Sequence, residues 1–210
     1  MDSRLQDRIA VITGASSGIG KATAFKFADC GAKVVCADLK SSGVEAEIVK
    51  KHGDGRALFV SCDVREEDQV KQLMQAAVEW GGRLDITCNY AGIAIETSHA
   101  ETGGVRAHDV PVDEFDRTMS INVRGVFLCC KYALRQMLAQ QPREPNARGD
   151  RTRGWIVNAA SIFGVVCAPQ VPCYSPSKHA VVGMTKQMAI DYAKDRIHVS
   201  PHVYRLRWHQ

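Results

Sequence analysis

Three side chains in the sequence could between them move a proton. Tyr174 and Lys178 stand four positions apart, which on a helix puts both on one face, and Pro176 between them suits a first helical turn. A free phenol ionises near ~10 and is a poor acid or base at neutral pH. An ammonium beside it stabilises the phenolate and draws that value toward working pH. Ser161 lies 13 positions before Tyr174, where its hydroxyl could hold a substrate oxygen while the phenol gives or takes the proton. A Tyr-x-x-x-Lys pair by itself recurs on many helices. Its weight here comes from what precedes it.

What precedes it is a place for phosphates. Thr13-Gly14-Ala15-Ser16-Ser17-Gly18-Ile19-Gly20 follows an apolar run and opens a helical stretch, a context in which glycines let backbone N–H groups approach a pyrophosphate at a helix N-terminus. Gly14 reads as the tight turn, Gly18 as the close approach and Gly20 as the helix–strand contact, with Ser16, Ser17 and Ile19 completing the binding loop. Asp38 follows Gly20 by 18 positions, near the ~20 expected of an acid that accepts the ribose hydroxyls of a dinucleotide. Its charge would repel a 2′-phosphate and no Arg or Lys directly precedes Gly18, so NAD is favoured over NADP; Lys21 and Lys40 keep NADP open. The loop lacks G-K-[ST], which excludes a kinase-type phosphate loop. Asp63-Val64 end a third run, where the carboxylate can accept from an adenine amino group or cap the following helix, and the valine can cover the ring. Asn89-Tyr90-Ala91-Gly92 ends a fourth, with Asn89, Ala91 and Gly92 placed along the cofactor.

Such residues need a frame that gathers the ends of several strands. Short apolar runs at 9–13, 32–38, 56–62, 84–89 and 155–160 read as strands buried on both faces. Between them lie helical patterns. One covers 21–29, and a stripe of Val70, Leu73, Met74, Ala77 and Val78 ends at Gly81-Gly82. Two long segments cover 112–140 and 175–194. The alternation predicts βαβ units, a doubly wound parallel sheet in three α/β/α layers, and one domain over all 210 residues. Loops at 93–111 and 140–154 read as surface excursions, the first leaving the carboxyl end of a strand, where ligands bind in such sheets.

Composition agrees. Hydrophobic residues make 45% and charged residues 24%, ordinary globular usage that excludes a disordered or coiled-coil chain. No apolar run reaches the ~18 residues of a membrane span, and the charged N-terminus is not a signal peptide, so the expectation is a soluble, cytoplasmic protein without a membrane partner. The net charge of +4 is too small to imply nucleic acid, and the basic stretch 143–153 reads as a solvated loop. Eight cysteines contain no C-x-x-C pair; they read as buried, reduced thiols, with no metal site and no disulfide framework.

The order T-G-x-x-x-G-I-G, Asp38, Asp63-Val64, N-x-A-G, N-V-x-G, Ser161 and Y-x-x-x-K resembles the short-chain dehydrogenase/reductase family in its single-domain form, over residues 8–199. The resemblance implies a Rossmann-like fold. It implies that Ser161, Tyr174 and Lys178 are catalytic, the last two also touching the cofactor. Asn122, in Ser120-Ile121-Asn122-Val123-Arg124-Gly125, would be a fourth member that helps hold a water linking Lys178 to solvent. It further implies an NAD(P)-dependent interconversion of a secondary alcohol and a ketone by hydride transfer, and a homodimer through 112–140 and 175–194. Ile95, Ile162, Phe163, Val165, Val166 and Val171 would suit a hydrophobic small-molecule alcohol or ketone, and equally suit plain packing. The Arg-rich loop before the fifth strand resembles fungal members from secondary-metabolite pathways.

Two departures stand against the resemblance. Tyr90 occupies a position where the family has a second Asn. After Arg196-Ile197-His198-Val199 the family continues into a Pro-Gly loop, substrate-covering helices and a seventh strand, whereas this sequence runs on for 11 residues from Ser200 to Gln210. The expectation is a truncated or mis-spliced reading frame, or a real isoform, in which strand six is an open edge partly blunted by Pro201. A competing expectation, from a different class, is a nucleotide-binding protein without turnover.

Overall fold

The computed structural model describes residues 4–96, 104–145, 149 and 151–203. Six strands alternate with helices along the chain: β1 Ile9–Thr13, α1 Gly18–Asp29, β2 Lys33–Asp38, α2 Val44–His52, β3 Ala57–Ser61, α3 Glu67–Gly81 and β4 Ile86–Asn89, then α4 Val112–Met119, α5 Val126–Ala139, β5 Gly154–Ala159, α6 Tyr174–Asp191 and β6 Ile197–His202. All strand pairs are parallel and their order is β3-β2-β1-β4-β5-β6. The predicted doubly wound sheet is the observed one. Chain direction across the sheet reverses between β1 and β4, and that switch point opens a crevice at the carboxyl ends of the strands.

Each face of the sheet is sealed by its own apolar layer. Val70, Leu73, Met74 and Ala77 of α3 join Leu128, Leu134 and Met137 of α5 and Val181 of α6 over one face, while Ala24 and Ala28 of α1 with Val44 and Ile48 of α2 cover the other. Burying one such large side chain stabilises by roughly 1.5–3 kcal/mol, so these layers fix where the strand ends lie. The stripe on α3 is the one its spacing predicts. The helix α2 has only Val44 and Ile48 fully inside, too weak a pattern to be read in advance.

The segment 112–140 is one helical run with a defect. A π-helical turn, Ser120–Gly125, joins α4 to α5. A π turn inserts one extra residue per turn and re-aims the side chains it carries; Asn122 is one of them. The predicted helix 175–194 instead spans Tyr174–Asp191, with Tyr192 as its C-cap. Strand β6 continues through Pro201 to His202, pairs only with β5, and is the sheet edge among the described residues. Tyr204 to Gln210 lie outside the described residues, as does 97–103 in the first long loop.

All eight cysteines are free; seven are buried and Cys167 is exposed. Burial pushes the Cys36 and Cys88 thiols up to about 12, which keeps them protonated and unreactive. The basic stretch is partly consumed by the fold. The Arg143 guanidinium reaches the Asp85 carboxylate at 2.6 Å, and Arg153 donates to the carbonyl of Gln140.

Candidate active site

The turn after β1 has no room for side chains. Gly14 holds φ +69°, and a Cβ there would lie 2.9 Å from the Ala91 backbone nitrogen. A Cβ on Gly20 would lie 2.1 Å from the Gly14 carbonyl oxygen. Gly20 therefore packs α1 onto the turn itself, not onto a strand as its position suggested. Because α1 begins at Gly18, its first N–H groups open at the turn, with no side-chain cap and no acidic residue in the first turn. Free donors with a positive dipole end form a ready cradle for phosphate.

Asp38 ends β2 beside this cradle. Its Oδ2 accepts from the Ser16 N–H at 3.0 Å and its Oδ1 from the Leu39 N–H at 2.8 Å. Ser16 donates its hydroxyl to the Lys40 carbonyl, so it ties the turn to the β2 loop, while Ser17, Gly18 and Ile19 face the cleft. Asp63 is bound by Arg65 at 2.6 Å, and hydrogen bonding to Arg65 holds its carboxyl below the ordinary range. It does not cap α3, whose N-cap is Glu66. Val64, Ala91 and Gly92 line the cleft.

Asn89 does not. Its side chain turns into the core, where Nδ2 donates to Asn158 Oδ1 at 2.8 Å, and Asn158 in turn donates to Thr185 at 3.0 Å. The period of a strand sends alternate side chains to opposite faces, and the register of β4 points this one under α5 and α6. The hinge to the cleft is made by Thr13 instead, whose Oγ1 accepts from the N–H groups of Tyr90 and Ala91.

The proton-transfer side chains meet at the start of α6. Tyr174 opens that helix, and the Lys178 ammonium lies 5.3 Å from the centre of its ring. Lys178 is 2% exposed, and Nζ donates to the Ala159 carbonyl at 2.7 Å. Burial alone draws this ammonium down to about 8. Ser161, at the end of β5, is fully buried and its Oγ accepts from the Phe163 N–H. Asn122 is buried in the π turn. Its Oδ1 accepts from the Ile93 N–H and its Nδ2 donates to the Ile93 carbonyl, both at 2.8 Å, and to Ser177 Oγ at 3.1 Å. The Asn122 amide is thus a clasp on the strand-to-loop backbone beside Lys178, and its side chain is fully taken up by protein partners.

The glycine turn, Tyr174 and Lys178 border one cleft of about 760 Å³, while Ser161 and Asn122 are not among its lining residues. Its walls run from Gly14, Ser17 and Asp38 past Val64 and Gly92 to Tyr174 and Lys178. Sequence reasoning missed Arg65, Arg117, Ile93 and Ile121 among its lining residues; Arg65 and Ile93 come from loops, Arg117 from the last turn of α4 and Ile121 from the π turn. Ile95, Ile162, Phe163 and Val171 are not among its lining residues, and Val165 and Val166 lie exposed.

The short chain dehydrogenase family matches this sequence over residues 8–202. The chain belongs to the short-chain dehydrogenase family. The chain is similar to the 2-(R)-hydroxypropyl-CoM dehydrogenase of Xanthobacter autotrophicus, at 39% identity over 89% of this chain and 69% of that one. Its fold superposes on a short-chain dehydrogenase/reductase from Mycobacterium marinum with a TM-score of 0.80, at 35% identity over 94% of this chain and 74% of that one. An NAD+-bound xylitol dehydrogenase gives a TM-score of 0.82 at 29% identity, over 96% and 71%. The chain spans 65 to 72% of the length of eight of the curated relatives it matches. Among its described residues, no helix is long and apolar enough to cross a membrane, and no group of three metal-ligating side chains is present.

Proposed function

We propose that this chain is an oxidoreductase that interconverts a secondary alcohol and a ketone on a small molecule, using NAD. The observation that carries the reading is the buried Lys178 ammonium against the Tyr174 ring, in the same cleft as the glycine turn and Asp38. The residues fit a dinucleotide. The Gly14–Gly20 backbone would take the pyrophosphate, Asp38 the adenosine ribose, Val64 the adenine face, and Ala91 and Gly92 the chain's course toward Tyr174. When bound, the nicotinamide would supply the hydride acceptor or donor.

The protein's own part is proton transfer and orientation. Lys178 places positive charge beside the phenol, which favours phenolate over phenol. Tyr174 then takes the alcohol proton in oxidation, or returns it in reduction. Ser161 would orient the substrate oxygen. Asn122 holds the Ile93 backbone, and through it the wall beside Lys178. Asp38 supports NAD over NADP because its carboxylate would stand against a 2′-phosphate, and the NAD+-bound xylitol dehydrogenase is a neighbour in fold.

The groove between α5 and α6, lined by Phe127, Leu134, Leu138, Met184 and Met188 in a hollow of about 650 Å³, supports a homodimer through these two helices. A second reading, cofactor binding without turnover, draws on the complete burial of Ser161. One experiment decides between them: titrate NAD by calorimetry and follow reduced-nicotinamide absorbance with a panel of secondary alcohols. Binding with turnover that Tyr174→Phe abolishes supports the oxidoreductase; binding without turnover supports the alternative; no binding overturns both.

A further inference from the structure

The N-terminus of α6, where Tyr174 sits, has no cap of its own. Cys173 is the N-cap residue and makes no side-chain cap hydrogen bond, and the first turn carries no acidic residue. Its open N–H groups are met by a side chain from the segment that follows β4. Glu96, 7% exposed, accepts with Oε1 from the Cys173 N–H at 2.8 Å and from the Tyr174 N–H at 2.7 Å, across 78 positions of sequence in the second case. Its Oε2 is buried with no hydrogen-bond partner among the described residues.

A carboxylate on a helix N-terminus opposes the positive end of the helix dipole and satisfies donors that would otherwise be buried and unpaired. A buried charge that keeps one oxygen unpaired is costly, so its geometry is not incidental to packing. The stretch carrying it is short and held at its other end. Ile93 is fixed through both its N–H and its carbonyl by Asn122, and Ile93 and Ala94 wall the cleft. Four residues therefore strap the π turn to the backbone of Tyr174.

We propose that Glu96 is a positioning residue for the Tyr174 phenol, an inference that rests on the oxidoreductase reading for its kinetic consequence. It does not touch the reacting atoms. It sets where α6 begins relative to the cleft wall, and so where the hydroxyl stands. Lys178 is fixed from the sheet side by the Ala159 carbonyl; Glu96 fixes the other end of the pair.

The test uses Glu96→Ala, Glu96→Gln and Glu96→Asp in the full chain. Amide hydrogen exchange is measured without cofactor, and kcat, KM and the NAD dissociation constant are measured with it. In Glu96→Ala, the Cys173 and Tyr174 amides should lose protection, and kcat should fall by about a hundredfold, as expected of a small displacement of a catalytic group, with NAD affinity held. Glu96→Gln keeps an oxygen acceptor at the same reach and should recover most of kcat and the protection; Glu96→Asp, one methylene short, should not. Unchanged protection in Glu96→Ala overturns the proposal, as does a kcat within about threefold of the parent or a Glu96→Gln variant as impaired as Glu96→Ala. Should Glu96→Ala fail to fold, the contrast between Glu96→Gln and Glu96→Asp decides: unequal in the stated direction supports it, equal overturns it. If the parent binds NAD and turns nothing over, the oxidoreductase reading falls alone, and the exchange result still judges the cap.

Discussion

The two ends of the sheet handle charge in opposite ways. At the amino ends, Asp85 is 1% exposed and fully answered. Arg83 and Arg143 reach it at 2.8 and 2.6 Å, Arg8 stands at 3.8 Å, and the Ile9 N–H donates to it at 3.0 Å. Burial pushes its carboxyl up, but the Arg143 hydrogen bond, the Ile9 N–H and the neighbouring guanidinium charges outweigh that and hold it below the ordinary range. At the carboxyl ends, Lys178 is equally buried, and among the described residues its ammonium pairs with no carboxylate and donates to one carbonyl, that of Ala159. The first end is a closed network that holds β1, β4 and the 140–154 loop together. The second keeps a charge partly unanswered, in the place where a phenol must be made acidic. A protein can leave such tension at a site only because packing elsewhere over-determines the geometry.

Breaking each end should therefore give different signatures. The largest effect is expected from Tyr174→Phe, which should lower kcat by about 10³–10⁴-fold, the upper part of the 10²–10⁴ range of a lost acid–base group, with NAD affinity and the unfolding midpoint held. Asp85→Ala should do the reverse. It leaves three guanidiniums around an empty pocket and should destabilise the fold by about 3–5 kcal/mol in urea titrations, with cofactor affinity intact in the folded fraction. A Gly20→Ala change sharpens the carboxyl end at its other flank. The new methyl would press on the Gly14 carbonyl, and NAD affinity should fall by about a hundredfold, or ~2.7 kcal/mol, in calorimetry.

A fourth signature is a pH dependence. The folded-state value of Lys178 is drawn down to about 8 against 10.5 for the free group. Between those values the unfolded chain binds the extra proton, so stability rises with pH across that window and levels off above it. Below about 8 both states are protonated and the full desolvation cost is present. Urea midpoints across the window should rise in the parent relative to Lys178→Met, in which that component of the slope is absent. Parallel profiles in the two proteins would show that burial does not set the state of this lysine.

How much of this was legible beforehand divides along chain separation. Local order was: the glycine turn, Asp38 at a strand end, the Tyr174–Lys178 spacing and the α3 stripe all depend on neighbours a few positions away. Even the departure at Tyr90 is readable as a change of type. Its consequence is not, since the phenol's contact with His202 Nδ1 at 2.9 Å spans β4 to β6. For Asn89 a motif gives the position on a strand but not the face to which its side chain turns.

The sequence by itself determined the sheet's class, the order of its strands along the chain and the identities of the groups that could bind a dinucleotide and move a proton, because period and composition act over short distances. Only the tertiary structure decided which buried groups find partners. Asp85 is answered by Arg143 and the Ile9 N–H, Asn122 by Ile93, and the start of α6 by Glu96. Each of those pairings is a long-range closure, set by how two layers pack on one sheet and invisible to any local pattern.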